Sequence, residues 1–198
     1  MSNKTIDLIK SRVSCRSYTE KKVPLKKILA VAEAGKFAPS GKNRQICNIY
    51  VVNSKSKIEK LRTLSLKVLG RDCMYGAKTV ILVGGPRGDY FTDLDGSCIL
   101  ENMFLAAHAL KINSCWINQF DELLQTKDGL KVKKALGIPG ESRITGSCIL
   151  GFAKDPDSLQ IKQRKEDLIK ILWDLKKILY IKQHNCFYLS FLVAIIDS

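Results

Sequence analysis

The chain has 198 residues, 45% of them hydrophobic and 26% charged, with a formal net charge of +14. That length allows one ordinary domain whose core needs no metal or disulfide staple, and the composition excludes global disorder. The charge favours anionic partners. The lysines, however, are scattered as pairs such as Lys21-Lys22 and Lys133-Lys134, not gathered into the basic stripe that a nucleic-acid surface needs.

Seven cysteines, an odd number with no C-x-x-C pair, argue against a zinc site, an iron–sulfur cluster or a secreted disulfide framework. Reduced thiols in a cytoplasmic protein are the simplest account. Only His108 and His184 are histidines, which disfavours a histidine-based metal or triad site. No apolar leader opens the chain, and its longest apolar stretch, residues 187–196, is too short to span a bilayer. No membrane partner is therefore expected.

In chain order, residues 5–10 form a short helix with Ile6 and Ile9 on one side. Arg12, Ser14 and Arg16 follow at a spacing of two. In an extended segment their side chains point the same way, because side chains alternate across a strand. Two guanidinium forks and a hydroxyl on one spot match a phosphate group. Two solvated arginines are the other reading that the spacing leaves open. Pro24 suits the first turn of a second helix. Its inward stripe is read as Leu25, Ile28, Leu29, Ala32 and Gly35 or Lys36, and Pro39 ends it.

Residues 38–45, Ala-Pro-Ser-Gly-Lys-Asn-Arg-Gln, are a loop by composition, serving either as a plain connection or as a binding element. A strand over 49–52 leads to a helix capped by Ser54 or Ser56 and running to about Leu69, with Ile58, Leu61, Leu64 or Ser65, and Val68 facing inward. Residues 78–83 contain the run Thr-Val-Ile-Leu-Val, suited to a central strand and closed by Gly84-Gly85-Pro86. Neither a P-loop nor a Gly-x-Gly-x-x-Gly fingerprint is present. The best helix covers 93–110, capped by Asp93 or Asp95, with Glu101 and Asn102 exposed. A second strand covers 114–117 and a short helix 128–136, stopped by Gly137 and Pro139. A third strand covers 144–152. The basic cluster 162–165 leads into a helix containing Leu168, Ile171, Leu172 and Leu175. The apolar tail after it is expected to pack on a partner subunit or on the core.

Read together, Arg-x-Ser-x-Arg-x-Tyr at 12–18 and Ala-Pro-Ser-Gly-x-Asn-x-Gln at 38–45 resemble the FMN-dependent nitroreductase family. The resemblance continues through Asp95-Gly96-Ser97-Cys98, Glu101-Asn102-Met103-Phe104-Leu105-Ala106-Ala107, Cys115-Trp116-Ile117, Leu150-Gly151-Phe152 and Arg164-Lys165. It covers roughly residues 4–172. It implies an α+β fold with a central mixed, mainly antiparallel sheet flanked by helices, and a homodimer with two FMN sites at the subunit interface. Residues 1–177 would be the FMN-binding domain and 178–198 the tail.

The resemblance also implies the site. Arg12 and Ser14 match positions that hold the flavin phosphate, and Arg16 one near the N1/O2 edge of the ring. Lys162 and Arg164 match a basic pair on the phosphate. Pro39, Ser40 and Asn43 match a loop reaching the flavin from the other subunit, and the backbone at Asn118 and Gln119 would lie near N5. No catalytic side chain and no metal are implied. NADH or NADPH would reduce the flavin at N5, which would pass electrons to a nitroaromatic, quinone or similar small-molecule acceptor. Substrate choice would fall to residues 64–75 and 118–127. Val13 departs from the pattern, standing where a second arginine is common.

The same fold also serves other flavin reactions, such as dehalogenation or enoate reduction, or a flavin-binding sensor or store. From a different class, a basic nucleic-acid-binding protein would account for the charge but not for the Pro-Ser-Gly-x-Asn loop.

Overall fold

The computed structural model describes residues 3–170. The chain divides into two compact units, residues 1–161 and 162–198. The expected boundary at residue 177, the helix continuing through Ile171 to Leu175, and the apolar tail lie outside the described residues.

The first unit is built on four antiparallel strands, β1 (Asn48–Val52), β2 (Thr79–Pro86), β3 (Asn113–Ile117) and β4 (Ser142–Gly151), in the order β1-β2-β4-β3. Six helices surround it: α1 (Lys4–Ser11), α2 (Leu25–Gly35), α3 (Lys55–Leu69), α4 (Phe91–Ala109), α5 (Phe120–Gln125) and α6 (Lys127–Leu136). This is the expected α+β architecture. Parallel pairing occurs only as an isolated bridge between Ser14 and Ser114 among the described residues.

The central strand β2 sorts the core into two layers. Val80 and Leu82 face a layer formed with Ile58, Leu61 and Leu64 of α3 and Phe120, Leu123 and Leu124 of α5. Ile81 and Val83 face the other, with Ile28 and Val31 of α2 and Leu100, Met103, Phe104 and Ala107 of α4. Alternation of side chains along one strand thus serves two cores, and each fully buried aliphatic side chain contributes about 1.5–3 kcal/mol. Among the described residues no helix is long and apolar enough to cross a membrane.

Several boundaries and faces differ from the sequence reading. On α2, Val31 is buried, whereas Leu25 and Leu29 are about half exposed. Both fit the helical stripe equally well, but only the face carrying Ile28, Val31 and Gly35 is covered, chiefly by α4. Val68 of α3 is likewise exposed, although its neighbour Leu69 still packs against the core layer. Ser54 caps α3, accepting the Lys57 N–H. β2 does not close at Gly84 but continues through Pro86, with a register shift between Val83 and Gly84. A side chain at Gly84 would collide with the Arg143 carbonyl, so the irregular pairing requires glycine there. α4 begins at Phe91, with neither Asp93 nor Asp95 capping it. Asn102 is half-buried and donates to the Ala34 carbonyl at 3.3 Å, tying α4 to α2. Helix α5 replaces what reads as a loop. β3 is an edge strand that leaves Trp116 36% exposed.

Of the second unit, residues 162–170 contain a 3-10 turn, Glu166–Leu168.

Candidate functional site

The segment after α1 is extended, as the spacing predicts. Arg12 leaves the helix with φ −64° and ψ 129°. Ser14 then bridges Ser114 on β3, with the Cys15 N–H donating to the Ser114 carbonyl at 2.9 Å. Tyr18 anchors the far end. It bridges Ala153, its hydroxyl donates to the Cys15 carbonyl at 2.8 Å, and its ring is buried. Burial pushes the Tyr18 hydroxyl far above its usual range, so the ring is a fixed, neutral prop.

Arg12, Ser14 and Arg16 converge on this segment. Their common neighbour is the buried Cys115 of β3. Burial pushes its thiol up, while the Arg16 charge, the Ser14 hydroxyl and the Arg12 charge each pull it down. α4 fixes the segment from below. The Arg12 guanidinium lies 5.9 Å from the centroid of the Phe104 ring, and the Phe104 ring lies 5.9 Å from that of Trp116. One turn further along α4, His108 Nε2 and Ser11 Oγ share a hydrogen bond of 2.9 Å. Neither arginine forms an ion pair among the described residues. Two guanidinium groups beside a hydroxyl, with no carboxylate to neutralise them, suit a phosphate.

The Pro-Ser-Gly-x-Asn loop lies at the other end of α4. Residues Gly41–Asn43 form a 3-10 turn in which Lys42 and Asn43 adopt positive φ, 54° and 55°. Asp95 holds the turn, accepting the Gly41 N–H at 2.9 Å. Asp95 is only 4% exposed, and its second oxygen has no hydrogen-bond partner among the described residues. Pro39 and Ser40 line a cavity of about 580 Å³ with Asp95, Gln45 and Cys47. Burial, followed by the Asp95 and Asp93 charges, raises the Cys47 thiol to about 11, which keeps it protonated at neutral pH. Asp95 and Phe104 are nine residues apart on α4, about 14 Å along its axis. Within one chain, therefore, Pro39, Ser40 and Asn43 are not brought to the Arg12 cluster.

Asn118 is exposed just beyond the far end of β3 from Ser114. Lys162 and Arg164 are exposed in the second unit. Phe104, His108 and Asp95 act on these two loops without having been read as site residues. The i, i+4 pair of Phe104 and His108 was the available signal, since such a pair shares one helix face.

Comparisons with known proteins bear on the family and the fold. The family model described as the nitroreductase family matches residues 9–71 and 62–152. A crystal structure of a nitroreductase with bound FMN from Bacteroides fragilis is similar, with a TM-score of 0.81 and 30% identity, covering 87% of this chain and all of that one. A nitroreductase with bound FMN from Desulfitobacterium hafniense shares the fold at a TM-score of 0.78 and 24% identity, covering 87% of this chain and all of that one. A curated relative from Archaeoglobus fulgidus, provisionally named as an NADH dehydrogenase/NAD(P)H nitroreductase, is 25% identical over 76% of this chain and 86% of its own.

Proposed function

The chain belongs to the nitroreductase family, and from that premise we propose that it binds FMN and uses it to transfer electrons from NADH or NADPH to a small electrophilic acceptor, a nitroaromatic or quinone. One observation carries the reading: Arg12, Ser14 and Arg16 all act on Cys115 from one extended segment, and neither arginine forms an ion pair among the described residues. The FMN-bound relatives make a flavin phosphate the natural occupant.

In this reading Arg12 and Ser14 hold the phosphate. Arg16, exposed at the end of the cluster, faces the ring. Its fixed charge favours the electron-rich reduced state of a flavin. FMN would supply the redox chemistry when bound, so that no side-chain acid or base is needed. The Phe104 ring and the Ser11–His108 hydrogen bond keep the phosphate ligands in place. The Asp95–Gly41 bond presents Pro39, Ser40 and Asn43 away from their own chain's cluster. A homodimer, in which each chain offers this loop to its partner's flavin, accounts for that separation. The same reading assigns the Asn118 backbone to the ring end of the ligand.

The test is a visible absorption spectrum of the purified protein, with and without added FMN, followed by NADH and then NADPH without oxygen. Flavin absorption that bleaches on addition of either nucleotide is expected. Protein that neither retains nor rebinds FMN rules the reading out.

A further inference from the structure

β3 holds a large aromatic side chain at the surface beside the Arg12 cluster. Trp116 is 36% exposed, yet its indole is wedged in place. A Cβ at Gly146 of β4 would meet indole Cε2 and Nε1 at 2.8 Å, so the glycine leaves room for that edge of the indole to press on the β4 backbone. Phe104 of α4 braces the indole as well, with ring centres 5.9 Å apart and planes tilted by 38°. Phe104 is itself buried. A tryptophan has only two side-chain torsions. Packing fixes them here before any ligand arrives, so a contact with one costs little entropy.

The position of the indole relative to the arginines gives it a chemical direction. The same Phe104 ring carries the Arg12 guanidinium, also at 5.9 Å. Trp116 and Arg12 are therefore set out from one buried ring. Along β3, Ser114 bridges Ser14, and Trp116 follows two residues later, about 7 Å further along the strand. Residues two apart share a strand face, so Trp116 continues the line that starts at the Ser14 bridge and runs on toward Asn118. Guanidinium and hydroxyl groups recognise a phosphate and nothing beyond it. A flat heterocycle joined to that phosphate calls for a wide, rigid apolar surface, and an indole offers one.

We propose that Trp116 binds the flavin beyond its phosphate, packing the exposed surface of its indole on the body of FMN. This rests on the flavin reading and divides the labour within it. Arg12 and Ser14 select the phosphate, and Trp116 selects what the phosphate carries. Removing Trp116 then costs affinity for any flavin, with or without a phosphate. Removing Arg12 costs affinity only where a phosphate is present.

Equilibrium dialysis of the flavin-free full chain against FMN and against riboflavin, which lacks the phosphate, tests this division. Trp116→Leu keeps apolar bulk beside Phe104 and should weaken both ligands by the same factor, about tenfold, within the range of one aromatic stack. Arg12→Ala should weaken FMN and leave riboflavin unchanged. A second readout needs no change at Trp116. Only Trp116 and Trp173 are tryptophans, so in the Trp173→Phe protein the single indole N–H resonance reports on Trp116 and should shift on adding riboflavin. An indole resonance that neither flavin moves overturns the assignment. So does a Trp116→Leu protein that loses FMN affinity but keeps riboflavin affinity, because Trp116 would then only brace Phe104 and Arg12. Wild-type protein that binds FMN but not riboflavin draws nothing from the ring and also overturns it. Protein that binds neither ligand removes the flavin reading itself, and the role of Trp116 with it.

Discussion

The Arg12 guanidinium rests 5.9 Å from the centre of the Phe104 ring, so the first residue of the Arg-x-Ser-x-Arg segment is held by a side chain from the middle of α4. Such a contact contributes about 0.5–1 kcal/mol at a partly exposed site. Phe104→Leu keeps the apolar volume but removes the ring face. It should weaken FMN binding about two- to fivefold, read by quenching of flavin fluorescence on titration. Arg12→Ala should weaken binding much more. Equal FMN affinity in wild type and Phe104→Leu would show that Arg12 needs no such guide.

The close approach of α4 to β4 yields a stability prediction. A methyl group at Gly96 would collide with the Thr145 side chain, which is itself buried and donates to the Thr92 carbonyl at 3.1 Å. Gly96→Ala gains helix propensity of about 1 kcal/mol. Overpacking against a buried strand costs about 1–3 kcal/mol, and the steric term wins. The variant should unfold at lower urea concentration than the wild type. An unchanged midpoint would mean that α4 can slide on the sheet.

The contrast between α2 and β2 shows what the sequence carries and what it withholds. The β2 run from Val80 to Val83 is buried on both faces, and a continuous apolar run announces that without reference to anything else. Leu25 and Leu29 of α2 look just as apolar, yet they stay about half exposed, because what covers a helix face depends on elements far away in sequence. Local pairs were legible for the same reason: Ser54 capping α3, and the alternation of Arg12, Ser14 and Arg16. The parts of the site missed by spacing are long-range. The Asp95–Gly41 bond joins residues 54 apart and the Ser11–His108 bond residues 97 apart. No periodicity reports such pairings, and Asp95 looked like an ordinary cap at the start of a helix.

Asp121 is a second long-range hub. Its side chain is 13% exposed and pairs with Arg87 at 2.7 Å and Arg143 at 2.8 Å. It also accepts the Ile144 N–H at 2.9 Å. Arg143 in turn holds Asp93 at 2.7 Å, so one cluster ties α4, α5, β4 and the end of β2. Asp121→Ala strands a backbone donor and removes a partner from two arginines. The arginines are partly solvated and recover some hydration, which limits the loss to about 2–3 kcal/mol. Arg87→Ala removes one partly exposed partner and should cost under about 1 kcal/mol. Urea unfolding of both variants checks the order. Equal losses would mean that the Ile144 bond carries little.

The buried thiols and Tyr18 set the alkaline limit of stability. Burial raises Cys73, Cys115, Cys148 and Tyr18 above their ordinary ranges, and raises Cys47 to about 11. Each group is uncharged when protonated, and the fold favours that form. Above the unfolded thiol range near pH 9, the unfolded chain releases protons that the folded chain retains. The unfolded state then binds fewer protons, so stability falls as pH rises. The contribution is complete below pH 9 and is lost progressively through 11 and beyond for the most buried groups. The urea midpoint should therefore be level between pH 7 and 8.5 and drop steadily from 9 to 11. Cys148→Ala separates this cause from general lysine deprotonation. It costs stability at neutral pH by opening a small void, yet it should flatten the decline above pH 9, because one raised group is gone. A decline with the same slope in wild type and variant would assign the alkaline limit to the surface charge instead.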